Sequence, residues 1–158
     1  MQSSGAVSHN LEQAADVSRA NRDASLDALR ALEDALAAPA PGRQDRWLEL
    51  VVDALDRLMG ALDAQGGDDA ETASLLSEIA VDEPRLKPRI DRLRQEHDDL
   101  RAAAASIRSQ IAPADGVEVD PADIRDRLAT VARRVRQHRA READLIYEAV
   151  NINLGVGD

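Results

Sequence analysis

The sequence predicts an all-α protein: an antiparallel, up-down-up-down four-helix bundle with a short extra helix between its two hairpins. Two unbroken stripes carry most of that prediction. Leu86, Ile90, Leu93, His97, Leu100, Ala104, Ile107 and Ile111 recur in alternating steps of four and three, as do Ile124, Leu128, Val131, Val135, His138, Glu142, Leu145 and Ala149. This spacing lines one face of a packed helix. A third observation is compositional. The chain has no phenylalanine, one tryptophan and one tyrosine, so its core must be built from Leu, Ile, Val and Ala. Such residues suit close helix packing, whereas strands favour aromatic and β-branched residues.

Residues 1–10 (MQSSGAVSHN) are small and polar and are expected to be disordered; His9 lies there with nothing to hold it as a ligand. Helix 1 is expected over 11–38, with Ala15, Leu26, Leu29, Leu32 and Leu36 inward. The run AAPAPG from Ala37 to Gly42 ends it, because proline and glycine break helices. Helix 2 is expected over 43–65 on the stripe Leu48, Val51, Leu55, Leu58 and Leu62, and Gly66 and Gly67 stop it. The segment DDAETASLLSEIA, with Leu75, Leu76 and Ile79, reads as a short crossing helix or turn. Pro84 and Pro88 mark the entry to helix 3, which runs to Ile111. After the loop APADGVEVD, Asp120 and Pro121 form a cap and first-turn pair for helix 4, which continues to Val150. The tail NINLGVGD, residues 151–158, is expected to leave the helix as an extended segment. Residues 11–150 then form a single domain, of ordinary size for one core.

The formal charge of −10 argues against a nucleic-acid surface. With no cysteine, disulfides and thiolate metal sites are excluded. No apolar stretch is long enough to cross a bilayer and no signal peptide is visible, so a cytoplasmic location without membrane attachment is expected. No glycine-flanked nucleophile turn or phosphate-cradling loop is present, so a binding role is expected rather than an enzymatic one.

Three polar residues occupy core positions on the two stripes. An antiparallel hairpin brings residues to one level when they are equidistant from its loop. The midpoint of positions 97 and 138 falls between 117 and 118, inside the last loop. His97 and His138 therefore face each other, and Glu142 stacks one turn beyond His138. An unpartnered polar group in a core costs several kcal/mol, so something must satisfy all three. Two imidazoles and a carboxylate form a plausible half-site for iron, manganese or zinc. The alternative is a metal-free cluster hydrogen-bonded within itself.

The motif EHDDL (Glu96 to Leu100), followed by QHRAREADLIYEA (Gln137 to Ala149), resembles the hemerythrin-like, or HHE, four-helix bundles. The segment IAVDEPRLKPRIDRLRQEHDDL is similar to bacterial, particularly actinobacterial, members. The resemblance is good over 76–150 and weak over 11–65. It implies a bundle with a non-haem di-iron centre, ligated by histidines and carboxylates, that binds or responds to oxygen, nitric oxide or peroxide. It also implies that His97, His138 and Glu142 occupy ligand positions. The first half departs from that pattern. Mirrored through the loop near residues 40–41, its histidine position falls at about Asp23. Its His-x-x-x-Glu falls at Leu58 and Leu62. Four candidate metal ligands remain: His97, His138, Glu142 and Asp23.

The expected function is accordingly that of a divergent hemerythrin-like protein with a degenerate, incomplete di-iron site. It acts by binding or scaffolding, with metal-free the favoured state. One alternative is a non-haem iron protein that takes a small gas or a peroxide; the other is a helical interaction module whose protein partner the sequence leaves unknown. Tyr147 is expected to close a bundle end with its ring inward, and Trp47 to plug the core. Arg133, Arg134, Arg136, Arg139 and Arg141 fall off the stripe and are expected to form a solvated face.

Overall fold

The computed structural model describes residues 3–38, 44–66, 71–111 and 120–155. They form five α-helices and one 3₁₀ turn: α1 (Ser3–Ala37), α2 (Gln44–Gly66), α3 (Glu71–Asp82), the turn Pro84–Leu86, α4 (Lys87–Ile111) and α5 (Pro121–Gly155). Among the described residues there is no strand, and no helix is long and apolar enough to cross a membrane. Helices α1, α2, α4 and α5 form a ring in which α1 packs on α2 and α5, and α4 packs on the same two. Neighbours run antiparallel. Arg108 pairs with Asp56 and Arg101 with Asp63, so α4 ascends where α2 descends. Likewise Arg89 reaches Glu148 and Arg127 reaches Gln110 between α4 and α5. The four-helix bundle with its short crossing helix is the architecture the stripes predict.

The local signals act where the sequence places them. The Asp120 carboxylate accepts from the Ala122 N–H at 3.0 Å, and the Asp120 carbonyl takes the Ile124 N–H at 3.1 Å, which starts α5. Pro84 opens the 3₁₀ turn, whose missing N–H is no loss at a first position. The outer helices run longer than the sequence suggests. The backbone of α1 is already helical at Ser3, although disorder to residue 10 is expected, and α5 stays helical to Gly155, although the tail is expected to be extended. Once a packed turn has nucleated a helix, each added residue gains a hydrogen bond, so weak formers at the ends are carried along. At the C-terminal end Ile152, half-buried, continues the stripe beyond Ala149. The side chains of His9 and Ala15, and residues 156–158, lie outside the described residues.

All eight stripe positions of α4 with its preceding turn, and all eight of α5, are buried. The hydrocarbon core nevertheless falls into two blocks. The larger joins Ala28, Leu29, Leu32 and Leu36 of α1, Trp47 to Leu62 of α2, Leu100 to Ile111 of α4 and Ile124 to Val135 of α5. The smaller joins Leu75, Leu76 and Ile79 of α3 to Leu86, Ile90, Leu93, Leu145, Ile146 and Ala149. On both α4 and α5 the break between the blocks coincides with the polar residues.

The larger block is closed at one end by a clamp. Trp47, 2% exposed, donates its indole N–H to the Ala35 carbonyl at 2.9 Å. Arg125 crosses from α5, its guanidinium 4.8 Å from the centre of the Trp47 ring. Its Nε donates to the Leu36 carbonyl and its Nη2 to that of Ala38, both at 2.8 Å. These are carbonyls at the end of α1 that the helix itself cannot satisfy. Tyr147 does not play the matching role at the other end. It is 71% exposed, because it lies on the outer side of α5 between the inward pair Leu145 and Ile146 and the inward Ala149.

Replacing Arg125 with Met keeps the apolar stem but removes two charge-assisted hydrogen bonds and the cation–π contact. A loss of about 2 kcal/mol is expected, or about 6 °C in Tm, read by thermal or urea unfolding.

Candidate metal centre

His97 sits midway along α4; on α5, His138 and Arg139 are adjacent and Glu142 lies one turn further on. The 4/3 spacing brings His97, His138 and Glu142 between the two hydrocarbon blocks. His97 is 9% exposed, His138 1% and Glu142 4%. The rings of His97 and His138 lie 5.8 Å apart between centroids and are tilted by 48°. His138 Nε2 stands 3.8 Å from Glu142 Oε2. His97 therefore lies beside His138, with Glu142 one turn beyond it.

The protons can be placed by partner chemistry. His138 Nδ1 lies 2.9 Å from Glu96 Oε1. A carboxylate only accepts, so Nδ1 carries the proton and donates, and Nε2 presents its lone pair to the interior. Burial lowers the pKa of His138, and the nearby charge of Arg139 lowers it further. His97 is lowered by the same two causes in the same order. Both rings are thus neutral near pH 7. His97 Nε2 and His138 Nε2 are buried with no hydrogen-bond partner among the described residues. An unsatisfied buried nitrogen is costly, and two such ring nitrogens near a carboxylate are the feature that most favours an ion here.

Three observations oppose a complete metal centre. Arg139 is a core residue, not part of a solvated face: it is 2% exposed, and its Nη1 lies 3.3 Å from both carboxylate oxygens of Glu142. The expected face fails at this position because Ala132, Arg139 and Ile146, seven apart, form a second buried row beside the stripe. Asp23 is exposed, not turned into the core. Among the described residues, the buried polar residue of α1 is Ser25, which falls where the Leu29, Leu32, Leu36 spacing extends backwards. Leu58 and Leu62 are fully buried in the larger hydrocarbon block and supply no donor atoms. Among the described residues, no three His, Asp or Glu side chains are grouped so as to hold an ion. The donor set does not fit a di-metal centre, and Glu142 already has a cation against it.

Glu96 links the cluster to the surface. Glu96, held by His138 on one side, is bound on the other by Arg141 Nη1 at 2.5 Å. Glu96, Arg89, Arg92, Leu93 and Arg141 line an open groove of 370 Å³ between α4 and α5. Neither Glu96 nor this groove is singled out by periodicity, because Glu96 precedes the stripe position by one residue.

The family model described as the hemerythrin HHE cation binding domain matches residues 23–150 of this chain. No curated protein and no solved structure matches it.

Two outcomes follow from the geometry. Glu142→Gln removes the counter-charge of a buried guanidinium and should cost about 3 kcal/mol in urea unfolding. The second concerns pH. Both imidazoles titrate lower in the fold than the ordinary 6.5, so below that pH the unfolded chain takes up protons first. Stability is then complete above pH 6.5 and falls as the pH drops toward the native-state values. His97→Leu replaces an unpartnered ring with hydrocarbon; it should raise stability by about 1 kcal/mol and flatten the decline below about pH 6.5.

Proposed function

The chain belongs to the hemerythrin HHE cation-binding domain family, and from that premise we propose that it is a divergent member with a degenerate ion site, acting by binding or scaffolding. The observation that carries this reading is the asymmetry of the two hairpins. The second hairpin contributes His97, His138 and Glu142 to the interior, while the first contributes Leu58 and Leu62. A leucine pair with helical spacing of four rebuilds an apolar seam, and each buried leucine stabilises a fold by about 2 kcal/mol. That seam stabilises the bundle in the absence of an ion. The Arg139–Glu142 pair supports the same reading, since it already neutralises the carboxylate.

A second reading has its own support. The two buried Nε2 atoms without partners favour a single ion held by the second hairpin alone, with iron the metal the family suggests. In that case the positions left open by the missing ligands would be where a small molecule such as oxygen or a peroxide binds.

Metal analysis after expression in iron-supplemented medium separates the two. The degenerate-site reading expects well under one metal per chain, unchanged by His138→Ala. One metal per chain, lost in His138→Ala, establishes the second reading.

A further inference from the structure

The cluster contains a positive charge that a metal site in the same place would have to accommodate. Arg139 lies between His138 and Glu142 on α5, almost wholly buried, with Nη1 equidistant from the two Glu142 oxygens. Its charge acts on both imidazoles as well. A guanidinium keeps its proton at any ordinary pH, so this charge is permanent. Around it are a carboxylate and two imidazole nitrogens, a donor set of borderline softness that suits a divalent transition ion.

We propose that the Arg139 guanidinium is the resident cation of this site, holding Glu142 in place of a divalent ion and barring such an ion from Glu142, His97 and His138. The inference rests on the degenerate-site reading and deepens it by naming what replaces the metal. Glu142 then has a counter-charge whether or not metal is available. The two imidazoles stay neutral beside a fixed positive charge, which also repels any incoming dication. Removing the guanidinium leaves a buried carboxylate and two neutral imidazoles, which attract one.

The test is a titration of the full-length chain with cobalt(II), read by calorimetry and by visible absorption. Arg139→Ala should bind one cobalt at least tenfold tighter than the unsubstituted chain. Adding His138→Ala should reverse the gain. Equal affinity with and without Arg139, or no binding by Arg139→Ala, overturns the proposal. An unsubstituted chain that already holds one metal, lost in His138→Ala, overturns the degenerate-site reading and the proposal with it, whereas a metal-free unsubstituted chain whose weak cobalt affinity Arg139→Ala leaves unchanged overturns the proposal alone. Should Arg139→Ala lack a thermal transition in metal-free buffer, the readout becomes the return of that transition with cobalt, since a ligand that binds only the folded state stabilises it. Its return, with a like effect from millimolar guanidinium chloride, supports the proposal; failure of cobalt to restore it overturns the proposal.

Discussion

A polar layer through the middle of a hydrocarbon core constrains everything else in this bundle. Charges taken from water must be compensated where they lie, because the low-dielectric surroundings screen little. On α5 the compensation is local: Arg139 and Glu142 are three residues apart and pair on one helix. On α4 His97 adds a neutral ring, and His138 is tied outward to Glu96 and through it to Arg141. The core on either side is consequently two blocks, one built by all four long helices and one built by α3 with the ends of α4 and α5.

This arrangement explains why the two ends of the bundle are organised differently. Below the polar layer, α1 and α2 supply only hydrocarbon, and the block is sealed by Trp47 and by Arg125 capping the carbonyls that end α1. Above it, α3 turns Leu75, Leu76 and Ile79 onto α4 and α5. The surface ion pairs that join helices, such as Arg136 with Glu33, fix orientation more than stability, since exposed pairs contribute little. Glu33 is nevertheless held below the usual carboxylate range by its hydrogen bonds from Arg136.

Membership of a cation-binding family gives the polar layer its context. The ligand positions that the resemblance implies on α4 and α5 keep donor-bearing side chains, and those on α2 are leucines. A half-site of this kind retains the ring nitrogens and the carboxylate of a metal ligand set without the number of donors that a pair of ions requires. The proposed role of Arg139 accounts for how a carboxylate stays in such a place: the charge that an ion would supply comes from the chain itself.

Much of this was legible in the sequence. Periodicity alone marks sixteen buried positions, the eight stripe residues of α4 with its preceding turn and the eight of α5, because a helix exposes its faces on a fixed 3.6-residue cycle. The proline and glycine breaks place the loops, and distance from the last loop sets His97 against His138. Other features depended on tertiary packing. Mirroring through a loop places Asp23, but the face a helix turns inward is decided by its neighbours: Asp23 is exposed, and Ser25 is the buried polar residue among those described on α1. Arg139 lies beside the stripe, and its burial follows from the second row that it shares with Ala132 and Ile146. Glu96 lies one residue off the α4 stripe, and only the approach of α5 gives it His138 as a partner. A sequence determines which side chains a helix presents together; whether a charge among them meets water, a counter-charge or an ion is decided when the helices close.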